Sequence, residues 1–173
     1  WAEMVVNPFS ARERLNAHPD IQHESRDLSD AEIMRRIGAQ GEGTAMPEGW
    51  FFPDTYLFSK RSSDLDLLAR AHRAMRRHLE REWEQRAPQS PLATPYQALI
   101  LASIVEKETG READRTLVAA VFQNRLRQGM LLQSDPTVIY GLGERFDGNL
   151  RKRDLSADTP YNTYVRAGLP PTP

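Results

Sequence analysis

The chain has 173 residues, 39% hydrophobic and 27% charged, with a formal net charge of −1 and no cysteine. That composition suits one globular core, or a core with a small appendage. It excludes a disulfide framework and a thiolate zinc site, and arginines interleaved with nearly as many carboxylates leave no broad basic face for nucleic acid.

Helix-start signals organise the first third. Ser10 to Glu13 has capping-box spacing, and the helix it opens must stop at His18, before Pro19. Ser29 to Glu32 repeats the device, with Ile33, Met34 and Ile37 as the apolar stripe and Gly38 as a left-handed stop. A strand is expected around Met4 to Val6. Residues 1–45 thus read as a small N-terminal subdomain, and residues 46–173 as the main domain.

From Gln40 to Lys60 the chain is rich in aromatics, Gly and Pro, with Met46-Pro47-Glu48-Gly49-Trp50-Phe51-Phe52-Pro53-Asp54-Thr55-Tyr56-Leu57-Phe58 at its centre. So much aromatic area on irregular backbone either packs onto a core or lines a groove, and composition favours packing. A third helix is predicted from Asp64 to about Arg86, with Leu65, Leu68, Ala71, Met75, Leu79 and Trp83 on one stripe. Pro88, Pro91 and Pro95 break the chain before Thr94-Pro95-Tyr96-Gln97 opens a fourth helix. Its body, Ala98 to Val105, is almost wholly apolar, the pattern of a buried helix. It runs into Glu106-Lys107-Glu108-Thr109-Gly110. Thr109 to Glu112 has capping-box spacing for a fifth helix, which closes at Gln128 and Gly129. Beyond Gly129 periodicity fades: Ser134-Asp135-Pro136 starts one short helical turn, and Tyr161 to Tyr164 is extended and turn-rich.

The end of the fourth helix is the most informative feature. Leu99 and Ser103 precede Glu106 on one stripe, so Glu106 reads as a carboxyl at the end of a buried face. Desolvation and the negative end of the helix dipole both favour its protonated form, as a general acid requires. Glu108 lies about 200° further around an ideal helix, so the two carboxylates face one site only if the helix ends between them. The competing reading of Glu-Lys-Glu is a solvated helix terminus. His18, His23, His72 and His78 form no metal-binding pattern and are placed on the surface.

Glu48-Gly49-Trp50-Phe51-Phe52-Pro53-Asp54-Thr55-Tyr56, Ala102-Ser103-Ile104-Val105-Glu106-Lys107-Glu108-Thr109, Val121-Phe122-Gln123-Asn124-Arg125-Leu126, Gln133 to Gly141, and Tyr161 to Tyr164 with Gly168-Leu169-Pro170-Pro171 together resemble the MltG (YceG-like) family of endolytic murein transglycosylases. The match runs in order from about His18 to the end. It implies a predominantly helical α+β protein: a catalytic domain of lysozyme-like character after a partial LysM-like subdomain. It further implies a periplasmic enzyme on a single inner-membrane helix. The apolar runs here fall far short of the roughly 20 residues such a helix needs, so the anchor is expected outside this chain, as is the family segment that follows Gly-Leu-Pro-Pro.

The resemblance places the catalytic acid in Glu-Lys-Glu, and helix phase selects Glu106. Glu48, Gln133, Ser134, Asp135, Thr137, Tyr140, Tyr161, Asn162 and Tyr164 are implied to line the glycan groove. Local roles compete with this: Asp135 capping a turn, Tyr140 in the core, Asn162 holding a loop. The implied substrate is peptidoglycan, with no metal or organic cofactor, and cell-wall synthases of the penicillin-binding type are candidate partners. The implied reaction cleaves the β-1,4 bond between N-acetylmuramic acid and N-acetylglucosamine. One Glu protonates the leaving oxygen, then deprotonates the muramic acid C6 hydroxyl, which closes a 1,6-anhydro ring. The rivals are a hydrolytic muramidase with a second carboxylate (Glu48, Asp54 or Asp135) and a non-catalytic wall-binding scaffold.

Overall fold

The computed structural model describes residues 15–173. The strand expected at Met4 to Val6, and most of the helix expected from Ser10, lie outside the described residues; helical turn is present at residues 15–17. The chain divides into two compact units, one ending at Gln85 and the other running from Arg86 to Pro173. The boundary read near residue 45 falls inside the first. Among the described residues the fold is mostly helical with one small parallel sheet, and no helix is long and apolar enough to cross a membrane.

In the first unit, β1 (Ile21–Gln22) pairs in parallel with β2 (Ser62–Ser63), Ile21 opposite Ser62. Helix α1 (Asp30–Arg36) begins as its sequence requires: Ser29 Oγ accepts from Glu32 N at 3.3 Å. It ends on Gly38 at φ +76°, with Ala39 N reaching back to Met34 O at 2.9 Å, a left-handed stop that only glycine adopts cheaply. Helix α2 (Asp64–Glu84) is capped by Ser63. Its first residue, Asp64, is fully buried and accepts from Ser25 Oγ at 2.6 Å and Ser25 N at 3.2 Å. A buried carboxylate is tolerable only with such donors, and here it ties the loop after β1 to the positive end of a helix.

The buried face of α2 carries Leu67, Ala71, His72 and Leu79, whereas Leu65, Leu68, Met75 and Trp83 are half-buried. The inclusion of His72 corrects the surface placement read from sequence. The aromatic segment packs on this face: Trp50 is buried, Phe52 N donates to Ala71 O at 3.1 Å, and the Trp50 and His72 rings lie 5.6 Å apart. His72 Nδ1 sits 3.3 Å from Trp50 O, so the tautomer that donates there leaves Nε2 bare, and that buried nitrogen has no partner.

The second unit is built on a helical hairpin. Helix α3 (Pro95–Glu108) opens with Thr94 Oγ1 accepting from Gln97 N at 3.2 Å while Gln97 Oε1 accepts from Ala93 N at 2.8 Å. Helix α4 (Glu112–Arg127) packs against it, and Leu101, Ile104, Val105, Phe122 and Leu132 form the core between them. Thr109 does not cap α4. It is the C-cap of α3, its hydroxyl accepting from Arg111 N at 3.1 Å. Helix α5 (Asp135–Leu142) is longer than the single turn read from sequence, and a 3-10 turn (Gly143–Arg145) and α6 (Lys152–Ser156) follow. Gly141 lets α5 approach the next segment, because a Cβ there would meet Tyr161 Cβ at 3.0 Å.

Asn162 closes the unit from inside. It is fully buried; Nδ2 donates to the carbonyls of Ala157 at 2.7 Å and of Asp154 and Leu155 at 3.1 Å, and Oδ1 accepts from Tyr164 N at 2.9 Å.

Two predictions follow from these buried polar groups. Asn162→Ala should lower unfolding free energy in urea by about 2–3 kcal/mol, because buried carbonyls lose their donor; a loss below about 0.5 kcal/mol would be surface behaviour and contradict the clamp. Burial holds the His72 pKa below the ordinary histidine value, with the Arg76 and Arg73 charges adding and the Trp50 carbonyl opposing. The folded state therefore resists the proton that the unfolded chain accepts. Stability should be full above pH about 6.5 and fall as pH drops below it. Thermal melts from pH 7 to 5 should show this slope and a shallower one in His72→Gln; equal slopes would remove His72 as the cause.

Candidate functional site

Polar side chains in the second unit gather where α3 ends. The chain leaves α4 through a left-handed Gly129 at φ +65°, with Met130 N returning to Arg125 O at 2.8 Å. It then buries Leu132 completely, with the Arg125 guanidinium donating to the Leu132 carbonyl. Gln133 takes φ +54°, a left-handed conformation costly for a non-glycine residue. Its amide is held by Thr163 O at 3.0 Å. This turn delivers Ser134 to the end of α3, where its hydroxyl donates to Glu108 Oε2 at 3.0 Å.

The predicted groove residues sort into three groups. Ser134, Thr137 and Asn162 are buried, so they build the site's walls rather than present polar atoms to a ligand. Asp135, Tyr140, Tyr161, Tyr164 and Gln133 retain exposed surface. Tyr164 OH donates to Asp135 Oδ1 at 2.5 Å, and the Tyr140 and Tyr161 rings meet 4.8 Å apart at 56°. The Tyr164 phenol is pushed up to about 12, first by that hydrogen bond, then by burial and the charges of Asp135 and Glu108, with Arg125 opposing. Tyr164 therefore stays a neutral donor at any working pH. Glu48 belongs to the first unit, half-buried in the turn that leads to Trp50.

Glu106 is not where helix phase was read to put it. Its side chain is 61% exposed and pairs with Arg115 of α4, Nη2 to Oε2 at 2.9 Å. The cause is the stripe it belongs to: Ala102, one turn earlier, is exposed, whereas Leu101 and Ile104, seven and four residues before Glu108, are buried. Glu108 is itself exposed, but it follows Leu101 and Ile104 on the buried stripe of α3 and meets Ser134 where that stripe ends. One oxygen of Glu106 is paired with a guanidinium, whereas the partner of Glu108 is the neutral hydroxyl of a buried serine.

Thr163 was missed. Buried at 2% exposure, it contacts Ser134 N at 3.0 Å and Thr137 Oγ1 at 2.8 Å. Its only signal in the sequence is its place inside Tyr161-Asn162-Thr163-Tyr164. Among the described residues no three His, Asp or Glu side chains converge as a metal ion would require.

Comparison with known proteins agrees with the resemblance read from the motifs. An endolytic murein transglycosylase of Bacillus subtilis is 37% identical over 126 residues, which are 73% of this chain and 34% of that protein. Endolytic murein transglycosylases of two Streptococcus pneumoniae strains are each 35% identical over 130 residues, 73% of this chain and 23% of theirs. The chain thus spans about a third or less of the curated relatives it matches. The crystal structure of a YceG-like protein from Listeria monocytogenes superposes with a TM-score of 0.63 at 29% identity, covering 99% of this chain and 52% of that one. The family model for YceG-like proteins matches residues 5–173, and the chain belongs to that family.

Proposed function

We propose that this chain carries the catalytic centre of a peptidoglycan lytic transglycosylase, with Glu108 as the acid and then the base. The observation that carries the reading is the placement of Glu108: it ends the buried face of α3, and its carboxylate takes a hydrogen bond from the buried Ser134. With Oε2 occupied, Oε1 is the oxygen left to work.

The substrate class comes from the family and from the naming of its relatives as endolytic murein transglycosylases. Glu108 protonates the glycosidic oxygen between N-acetylmuramic acid and N-acetylglucosamine as the C1–O bond breaks. The resulting carboxylate takes the proton of the muramic acid C6 hydroxyl, whose oxygen bonds to C1. One proton is given and one recovered, no water is consumed, and the new end is a 1,6-anhydro sugar. This departs from the paired-carboxylate scheme of ordinary glycosidases, and it asks for one acid together with neutral polar groups around the anomeric centre. Tyr164, whose single O–H is committed to Asp135, presents its phenol oxygen there, and Gln133 supplies an amide. Tyr140 and Tyr161 offer ring area for a sugar face.

In this reading the second unit is the catalytic one, of lysozyme-like character, and the LysM-like remnant lies within residues 1–45. The protein works outside the cytoplasm at the inner membrane, close to cell-wall synthases. Asp135, beside Tyr164, keeps a hydrolytic variant in play; reducing ends in place of anhydro ends among the products would establish it.

Glu108→Gln should lower release of anhydro-muropeptides from purified sacculi by about 10²-fold or more while leaving sacculus binding intact. Glu106→Gln should stay within about threefold of wild type, since an exposed ion pair contributes little. The reverse pattern would return the acid role to Glu106. Undiminished cleavage in both variants would overturn the mechanism, and absence of cleavage in the wild type with binding retained would favour a scaffold.

A further inference from the structure

Ser134, Thr137 and Thr163 are 0%, 5% and 2% exposed, and counting their protons fixes the direction of every bond among them. A carbonyl only accepts, so Thr137 Oγ1 uses its single proton on Ser134 O at 2.8 Å. The 2.8 Å contact between the two threonine hydroxyls must then run from Thr163 to Thr137. Thr163 Oγ1 in turn accepts from Ser134 N at 3.0 Å. The bonds close on themselves: Ser134 N–H to Thr163, Thr163 to Thr137, Thr137 back to the Ser134 carbonyl.

This ring holds both backbone polar groups of Ser134, and its one remaining proton, on Oγ, goes to Glu108 Oε2. Thr163 also steadies the residue before, because its own carbonyl accepts from the left-handed Gln133. In a dry setting such linked hydrogen bonds polarise one another and tolerate few alternative arrangements.

We propose that Thr163 and Thr137 are positioning residues for the catalytic acid, acting through Ser134 to pin one oxygen of Glu108 so that the other meets the glycosidic bond. The inference rests on the assignment of Glu108 above. It assigns a mechanistic role to two buried residues whose hydrogen bonds run to Ser134 and to each other. It also explains why buried hydroxyls occupy places that valine would fill equally well by volume.

The test is steady-state cleavage of purified glycan strands by the complete chain, read as anhydro ends, for wild type, Ser134→Ala, Thr163→Val, Thr163→Ser and the double variant Ser134→Ala/Thr163→Val. Ser134→Ala and Thr163→Val should each lower kcat roughly 10- to 100-fold and leave KM within about twofold. Thr163→Ser, which keeps the hydroxyl, should restore kcat. The double variant should be no slower than Ser134→Ala alone, because both changes remove the same support. Multiplying losses, or a folded Thr163→Val with wild-type kcat, would overturn the proposal. Thr137→Val breaks the ring at its other hydroxyl and decides the matter by the same readings if Thr163→Val does not fold. Glu108→Gln run alongside separates the two claims: if it still cleaves, the acid assignment fails, whereas if it is inert and Thr163→Val is not slowed, only the ring's role fails.

Discussion

The hydrogen bond from Ser134 to Glu108 joins two parts of the second unit that local sequence does not connect. On one side is a helix whose apolar body is driven into the core and whose last turn brings a carboxylate to the edge. On the other is a strained turn at Gln133, anchored by a fully buried Leu132, by Arg125 donating to the Leu132 carbonyl and by the Thr163 carbonyl accepting from Gln133 N. Burial of Leu132 and of the α3 face supplies the free energy, on the order of 2 kcal/mol for each large apolar side chain removed from water. The polar ring around Ser134 contributes direction rather than net stability, since hydrogen bonds made on folding largely replace those made to water.

The two glutamates show how two positions on a helix separate their chemistry. Glu106 spans the corner between α3 and α4 by pairing with Arg115, an exposed contact worth at most about 1 kcal/mol. Glu108 ends the buried stripe and meets a neutral hydroxyl on Oε2, which leaves its second oxygen unclaimed by Ser134. Tyr164, kept protonated by its bond to Asp135, adds a neutral phenol within electrostatic range of that carboxylate.

Local chemistry made much of the fold legible in the residues. Ser29, Gly38, Thr94 and Gly129 act at helix ends as their side chains or lack of them dictate, because capping needs only neighbours in sequence. Phase in α3 was not legible for the opposite reason. When nearly every position from Ala98 to Val105 is apolar, every stripe looks buried, and only packing against α4 reveals that Ala102 faces out while Leu101 and Ile104 face in. His72 escaped for a similar reason, since its place among arginines hid a position on the inner face of α2. The motifs did bring together Ser134, Asp135, Thr137 and Tyr164, but the hub of that cluster, Thr163, has long-range partners that no local pattern announces.

A crystal structure of the Glu108→Gln chain with a bound oligomer of alternating N-acetylglucosamine and N-acetylmuramic acid tests the central claim most directly. The account predicts a glycosidic oxygen about 3 Å from the residue 108 side chain, with Ser134 still bonded to its other terminal atom. A glycan laid along Glu106 and Arg115, with residue 108 out of reach of every glycosidic oxygen, would contradict it.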